Sequence, residues 1–354
     1  HPPGAPLFQM IGAFFALFAT SAQKVALMVN FMSVFSSAFT VLFLFWTLTL
    51  LLQKLPNFKN LENLTDRIGF FGSAAVGALA FCFSDSFWFN AVETEVYAMA
   101  TLILSSLFWM GLRWEQEMNT PRGDRWLLMI AFVIGLSFGV HFMGLLTIPA
   151  LGMIYYFKNY QKVTFKGFVY ANLISVAILL FIFKLLLPLN LSFFGNAEVF
   201  FVNSIGLPFH SGTIIAALVF ISFFYLSLNY TRKKKWVNLN TGVLVILFVL
   251  VGFSSWIMIP IRANANTVIN ENSPSDARLL LAYYNMEQYP ETKLFYGPMC
   301  SDVYAFRSGF IYKLNQFFQV FLLVMFPKFV QFLPGGYRVG HSFAEFFFGF
   351  NVVV

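Results

Sequence analysis

The chain has 354 residues, of which 59% are apolar and 10% are charged, and its formal net charge is +7. Because soluble globular proteins carry about 25% charged residues, this composition excludes an ordinary soluble domain. The positive charge does not indicate nucleic acid as a partner, since Lys and Arg lie in short loops between apolar runs and form no interleaved basic and aromatic groove.

Apolar runs near 20 residues are long enough to cross about 30 Å of hydrocarbon as helices, and several such runs follow one another. In chain order, the predicted spans are residues 25–52, 68–83, 95–112, 126–157, 167–187, 212–230 and 241–261. We therefore predict an all-α, polytopic integral membrane protein whose surroundings are membrane lipids.

Lys and Arg are concentrated in four connections between the spans. These are residues 53–67, 113–125, 158–166 and 232–235. Basic loops remain on the cytoplasmic side of a membrane, so we expect all four there. The connections 84–94 and 188–211, like the chain after Arg262, are poor in Lys and Arg, and we expect them on the outer side.

The predicted span 126–157 has a basic loop at each end, so it must cross twice or turn back. Gly135, Gly139 and Gly144 lie at its centre, around the sequence "GLSFGVHFMG", and they favour a turn there. Two helices of about 15 residues reach only about 22 Å each. We expect a short hairpin whose turn, with His141, lies below the outer surface.

This topology places residues 1–22 outside, with "PLFQMIGAFFALFAT" as a helix along the outer interface. The chain begins without Met, and we expect residues upstream of His1. The predicted domains are a transmembrane domain over 1–261 and an external polar segment over 262–309, with an amphipathic stretch at 276–288. Residues 310–354 are uncertain, and their apolar part is long enough for one further span.

Three polar stretches fall on the predicted outer face. They are "HPPG" at 1–4, "SDSFWFNAVETEVYA" at 84–98 and "PIRANANTVINENSP" at 260–274. Polar groups that converge on one face of a membrane protein mark a candidate site. These stretches are therefore the candidate locations of functional residues.

Glu93 and Glu95 are the candidate carboxylates. Asn90 with Glu93 three residues later has the pattern of a capping box at a helix start, which is a structural alternative for Glu93. Glu95 is expected in the first helical turn, where the helix dipole alone favours an anion. Since residues 93 and 95 would be about 200° apart on a helix, we expect only one of them to face a cavity.

Arg262, Asn264 and Asn266 are candidates for binding a substrate. The Arg262 guanidinium offers bidentate donors to phosphate, and the alternative is an interfacial arginine that reaches lipid head groups. The asparagines supply neutral donors suited to sugar or phosphate. His1 is a candidate base or phosphate ligand on a stretch stiffened by two prolines, or a loop residue. His141 is a site residue or a buried polar group.

Several common signatures are absent from the sequence. There is no phosphate-binding Gly-rich loop, no zinc-ligand spacing and no Gly-x-Ser-x-Gly nucleophile. The sequence therefore requires no cofactor. Three carboxylates on the predicted outer face, Asp85, Glu93 and Glu95, leave a divalent metal open, although no ligand spacing demands one.

The His-Pro-Pro motif before the first long span resembles that of the GT-C superfamily of glycosyltransferases, which use polyprenyl-linked sugars. The stretches "HPPGAPLF", "AVETEVYAM", "PIRANANTVINENSPSD" and "YYNMEQYPETKLFYGPM" most resemble a bacterial membrane family common in Bacteroidetes. That family is related to a eukaryotic endoplasmic-reticulum protein O-mannosyltransferase. The resemblance covers about residues 1–304.

The resemblance implies a GT-C-like helical bundle that transfers a sugar from a polyprenyl phosphate carrier to an acceptor, often Ser or Thr of a translocated protein. It implies a bacterial inner membrane with the site facing the periplasm. The main carboxylate would lie upstream of His1, Glu95 would be a second site carboxylate, and Arg262 would hold the carrier phosphate. The alternatives are a non-catalytic subunit that anchors a larger envelope complex, or a transporter or flippase of a lipid-linked solute.

Overall fold

The computed structural model describes residues 4–58, 61–120, 122–160, 162–265 and 267–289. Within these ranges the secondary structure is helical, without strands. The α-helices of the described residues are α1 (Pro6–Ala16), α2 (Val25–Leu52), α3 (Leu64–Cys82), α4 (Asp85–Val92), α5 (Val96–Glu117), α6 (Gly123–Ser137), α7 (Thr147–Asn159), α8 (Phe165–Leu180), α9 (Leu187–Val199), α10 (Ser211–Lys233), α11 (Val237–Phe253), α12 (Met258–Ala263) and α13 (Ala277–Tyr284).

Five helical segments of the described chain have the length and hydropathy that a membrane crossing requires. They are Ala22–Leu52, Val96–Glu117, Phe165–Ser204, Ser211–Lys233 and Val237–Ala263. A sixth arises if α3 and α4, which are bent by 66° at their junction, form one span. The prediction of an all-α polytopic membrane protein is confirmed.

Helices α6 and α7 form the predicted hairpin. They contain 15 and 13 residues and are separated by a turn at residues 138–141 and a 3₁₀ segment, Phe142–Leu146. Gly139 lies in the turn, but Gly135 lies inside α6. A Cβ atom on Gly135 would be 2.1 Å from the Val249 carbonyl oxygen of α11. Gly135 therefore allows two helix backbones to touch and does not form the turn.

Lys and Arg gather at one end of the bundle, which we call the basic end. Lys54, just after α2, pairs with Glu115 of α5. In the last turns of α5, Arg113 pairs with Glu117 at 3.1 Å and lies over the Trp126 ring of α6. These contacts bring the end of α2, the end of α5 and the start of α6 together.

Two predicted outer connections are shorter or more helical than the sequence indicated. Residues 84–94 contain α4, and residues 188–211 continue the preceding helix as far as Ser204. Phe181–Leu186 and Phe200–Ser204 are π-helical, and Pro188, which has no N–H to donate to the preceding turn, lies just after the first π-helical turn. The uninterrupted segment Phe165–Ser204 has 40 residues, about 60 Å of helix.

Glu198 connects this long segment to the start of α10. The residue is 4% exposed, and its carboxylate accepts hydrogen bonds from the His210 N–H at 2.5 Å and from the Thr213 N–H at 2.7 Å. The Thr213 hydroxyl donates to it as well. A helix start favours an anion because its first N–H groups lack intrahelical acceptors. Glu198 is therefore a buried cap for α10.

Candidate functional site

The start of α1 is attached to the hairpin turn between α6 and α7. The Leu7 and Phe8 N–H groups both donate to the Gly139 carbonyl, at 2.8 and 3.2 Å. The Trp256 Nε1–H, from the 3₁₀ turn after α11, donates to the neighbouring Phe138 carbonyl at 2.9 Å. We call this end of the bundle the α1 end.

His141 lies in the same turn and contacts the start of α5. Its Nδ1 accepts a hydrogen bond from the Met143 N–H at 3.3 Å, and its ring centroid is 5.8 Å from that of Tyr97. A nitrogen that accepts an N–H carries no proton, so the neutral ring has its hydrogen on Nε2. His141 therefore presents a neutral donor at the α1 end.

Arg262 connects the last residues of α12 to α1. Its Nη1 donates to Gln9 Oε1, and the residue as a whole is only partly exposed. Its Nε is buried, and no acceptor for it occurs within the described residues. The guanidinium is therefore held by an amide on one side while one N–H remains without an acceptor.

Glu93 and Glu95 are arranged differently from the prediction. Asn90 lies inside α4 and donates to the Ser86 carbonyl at 2.8 Å, and Glu93 follows the last residue of α4, so the capping box is wrong. Glu95 precedes α5 with an extended backbone and is exposed, so it is not in the first helical turn. The 200° argument fails because neither carboxylate is on a helix.

A hydrogen bond between Thr94 and Asn30 holds the segment between α4 and α5 against α2. The Glu95 N–H also donates to the Glu93 carbonyl at 3.0 Å. The backbone that carries both carboxylates is thus attached to α2 and constrained by one local hydrogen bond. Sequence reasoning missed Asn30 because one polar residue in a long apolar span has no local signature.

The asparagines after α12 use their donors within the protein. The Asn264 side-chain amide donates to the Pro260 and Ser275 carbonyls at 2.9 and 2.7 Å, and that of Asn270 donates to the Ala263 carbonyl at 3.0 Å. These bonds fold the segment that follows α12. His1 and Asn266, which the sequence also singled out, lie outside the described residues.

Helix α4 adds an exposed aromatic surface that the sequence did not predict. Phe83 and Trp88 stack with ring centroids 5.9 Å apart. They line an open groove of about 350 Å³ together with Asp85, Phe89 and Val92. Among the described residues, no group of three or more His, Cys, Asp or Glu side chains is arranged to hold a metal ion.

Contacts at the α1 end link two of the predicted stretches, 84–98 and 260–274, through α1 and the hairpin turn. Gln9 of α1 meets Arg262, Leu7 meets the turn that contains His141, and His141 meets Tyr97, two residues after Glu95. The arrangement offers a guanidinium, a neutral imidazole donor and an exposed carboxylate, which suit a phosphate, a hydroxyl and a proton, respectively.

Comparison with known proteins found one similarity and two absences. Neither the curated proteins nor the solved structures contain a match. Residues 1–164 match the family model described as Protein O-mannosyl-transferase TMEM260 N-terminal domain. The matched part runs from the first residue to the end of the hairpin and includes Glu93, Glu95 and His141, whereas Arg262 lies beyond it. The first 164 residues are thus similar to the N-terminal domain of a protein O-mannosyltransferase, and this similarity supports a glycosyltransferase role.

Proposed function

We propose that this membrane protein transfers a sugar from a polyprenyl phosphate carrier to a hydroxyl group of Ser or Thr in a translocated protein. The observation that carries the proposal is the match of residues 1–164 to a protein O-mannosyltransferase domain. The contacts that join α1, the hairpin turn, the start of α5 and α12 at one end of the bundle support it.

In the proposed reaction, the acceptor oxygen attacks C1 of the sugar and the bond from C1 to the phosphate oxygen breaks. The hydroxyl proton passes to a carboxylate, and the polyprenyl phosphate departs with the bonding electron pair. Glu95 is the described carboxylate suited to accept the proton, beside a further carboxylate expected upstream of His1. Arg262 would stabilise the departing phosphate, because preorganised donors are most effective where charge develops.

The proposed site faces away from the cytoplasm. Basic loops are retained on the cytoplasmic side, and the α1 end is opposite the basic end. Together with the likeness to a bacterial family, this charge distribution favours a bacterial inner membrane with the α1 end in the periplasm. The lipid-linked donor would arrive from the outer leaflet and the acceptor protein from the periplasm.

Proteoliposomes that contain the full chain test the proposal. They would be supplied with polyprenyl phosphate mannose, labelled in the sugar, and with a Ser/Thr-containing peptide. We expect labelled peptide and free polyprenyl phosphate in equal amounts. If both orientations of the protein leave the donor intact, the proposal is wrong, and the non-catalytic subunit and the transporter or flippase are the alternatives.

Two variants test the assigned residues. We expect Glu95→Gln and Arg262→Ala each to lower transfer by about 10²-fold or more, as is typical when a general base or a charge-stabilising group is removed. The protein should remain in the membrane in both cases. Glu62→Gln, an exposed carboxylate just before α3, is the matched control and should transfer at the wild-type rate. Full activity in the first two variants would remove both residues from the site.

A further inference from the structure

Arg262 contacts a neutral amide and pairs with no carboxylate of the described chain. Three ion pairs occur in the described ranges, Lys54–Glu115, Arg113–Glu117 and Arg278–Glu287, and Arg262 takes part in none of them. Its contact is instead with Gln9 Oε1. An arginine side chain cannot lose its proton in a protein, so Arg262 keeps a full positive charge in a partly buried position.

Arg113 at the basic end provides the comparison. Its Nη1 donates to Gln116 Oε1 at 2.8 Å, which is the same arginine–glutamine contact. However, its Nη2 also donates to the Glu117 carboxylate at 3.1 Å, so its charge is neutralised within the protein. Each arginine therefore contacts the side-chain amide of a glutamine. Arg113 also has a carboxylate partner, whereas Arg262 has none among the described residues and leaves its charge for an external anion.

The Arg262 Nε is the second sign of an external partner. It is buried, and the described residues offer it no acceptor. A buried donor without an acceptor is costly, and an oxygen of a bound anion would satisfy it. Guanidinium groups bind phosphate through two parallel N–H donors, which suits a side chain with Nη1 anchored and Nε directed elsewhere.

The anchor is itself fixed. Gln9 is the fourth residue of α1, and the Leu7 and Phe8 N–H groups attach the start of that helix to the Gly139 carbonyl. The orientation of the guanidinium is thus linked to the hairpin turn through α1. A longer or more flexible connection would lose this orientation.

We propose that Gln9 is a positioning residue, which orients the Arg262 guanidinium and, being neutral, leaves its charge for the phosphate of a lipid-linked ligand. This inference rests on the proposed function. It distinguishes Gln9 from a glutamate at the same place, which would bind Arg262 more tightly and occupy the anion site. The role is thus electrostatic as well as geometric.

The test uses the purified full chain in nanodiscs, with undecaprenyl phosphate as the probe and thermal unfolding as the second measurement. Gln9→Glu is isosteric and should lower affinity for the probe about tenfold or more, since 1.4 kcal/mol corresponds to a factor of ten. The same variant should raise Tm through the new ion pair. Gln9→Met removes the acceptor but leaves the charge of Arg262, so its affinity should lie between those of the wild type and Gln9→Glu.

Gln116→Glu is the matched control, because it makes the same change beside Arg113 at the opposite end. We expect it to leave affinity for undecaprenyl phosphate unchanged. Equal affinity in the wild type and Gln9→Glu would overturn the inference, as would a loss of affinity accompanied by a lower Tm. If Gln9→Glu does not fold, wild-type affinity in Gln9→Met overturns it.

The choice of probe separates the two proposals. Undecaprenyl phosphate carries no sugar, so the ordering of affinities does not depend on transfer. If the affinities of the wild type, Gln9→Met and Gln9→Glu for the probe fall in the expected order but the wild type transfers no mannose, the proposed function alone is refuted. If each of these proteins binds phosphatidylglycerol as tightly as undecaprenyl phosphate, Arg262 binds a lipid head group, and the assignment to a lipid-linked ligand is overturned.

Discussion

Gly252→Ala tests how closely α6 and α11 must approach each other. A Cβ atom on Gly252 would lie 2.2 Å from the Phe132 carbonyl oxygen, 2.6 Å from the Leu136 nitrogen and 2.8 Å from the Gly135 carbonyl carbon. All three are backbone atoms of α6, so no side-chain rotation can relieve the overlap. Real Cβ contacts are essentially never shorter than 3.0 Å, and the helices would have to separate by about 0.8 Å.

We expect this separation to destabilise the protein by about 1–3 kcal/mol, as is usual when atoms are inserted into a close-packed interface. It should also disturb the α1 end, because the Trp256–Phe138 hydrogen bond joins the same two helices just beyond the crossing. Thermal unfolding in nanodiscs and affinity for undecaprenyl phosphate would measure the two effects.

Gly242→Ala is the control on the same helix. A Cβ atom there would meet nothing within 4 Å, so the substitution should leave stability unchanged or raise it by up to about 1 kcal/mol through helix propensity. If Gly252→Ala unfolds at the same temperature as Gly242→Ala, the two helices are not in backbone contact and the reasoning is wrong.

Three further predictions concern polar groups. His141→Asn keeps a side-chain acceptor for the cap of the 3₁₀ segment but removes the Nε2 donor. Sugar transfer should therefore fall by about 2–12-fold, which is the effect of one neutral hydrogen bond, while Tm stays unchanged. A fall in Tm without a fall in transfer would assign His141 to structure alone. Glu198→Gln places an amide donor opposite the N–H donors that start α10 and should destabilise the protein by about 1–3 kcal/mol in denaturation assays, whereas wild-type stability would show that the cap is unimportant. Hydrogen bonds from Arg278 hold the pKa of Glu287 below its usual value, so their contribution to stability should be present above the unfolded-state pKa and lost as pH falls through the lower folded-state value. Glu287→Gln should flatten this part of the Tm–pH profile, and an unchanged profile would contradict it.

The helices with the simplest pattern were predictable from the sequence. Residues 25–52 form α2 with the predicted bounds, because no charge, Gly or Pro interrupts the apolar run. The hairpin of α6 and α7 was predicted from the charge of its flanking loops rather than from hydropathy, because each helix alone is too short to be identified as a membrane span. The amphipathic stretch at 276–288 contains α13.

The helices within the two predicted connections were missed for the same physical reason. Residues 84–94 and 188–211 contain polar and turn-forming side chains, which indicate loops when length and hydropathy are the criteria. In the fold, α4 buries Phe87 and α9 packs against α13 and α10, so tertiary contacts stabilise helices that local pattern does not favour.

The candidate site could be predicted only at the level of shared location. Membrane topology indicated that the stretches with Glu95 and Arg262 belong to one end of the protein, although no local pattern showed which side chains would touch. Gln9 was missed because a glutamine on an apolar helix is common and becomes informative only when its partner is known. The roles of His1 and Asn266 stay predictions.

The length of the segment Phe165–Ser204 has a consequence for the surrounding bilayer. From Phe165 to Glu198 it measures roughly 50 Å, whereas α10, which begins at the Glu198 cap and returns to the basic end, measures about 34 Å. The two lengths agree if the longer helix runs obliquely or bends at its π-helical turns. Contacts fit this geometry, since α8 packs against α7 while α10 packs against α9 and α11. Acyl chains would therefore fill a wedge between α8 and α10, and hydrophobic mismatch in a thinner bilayer would be absorbed by further tilting of this one helix.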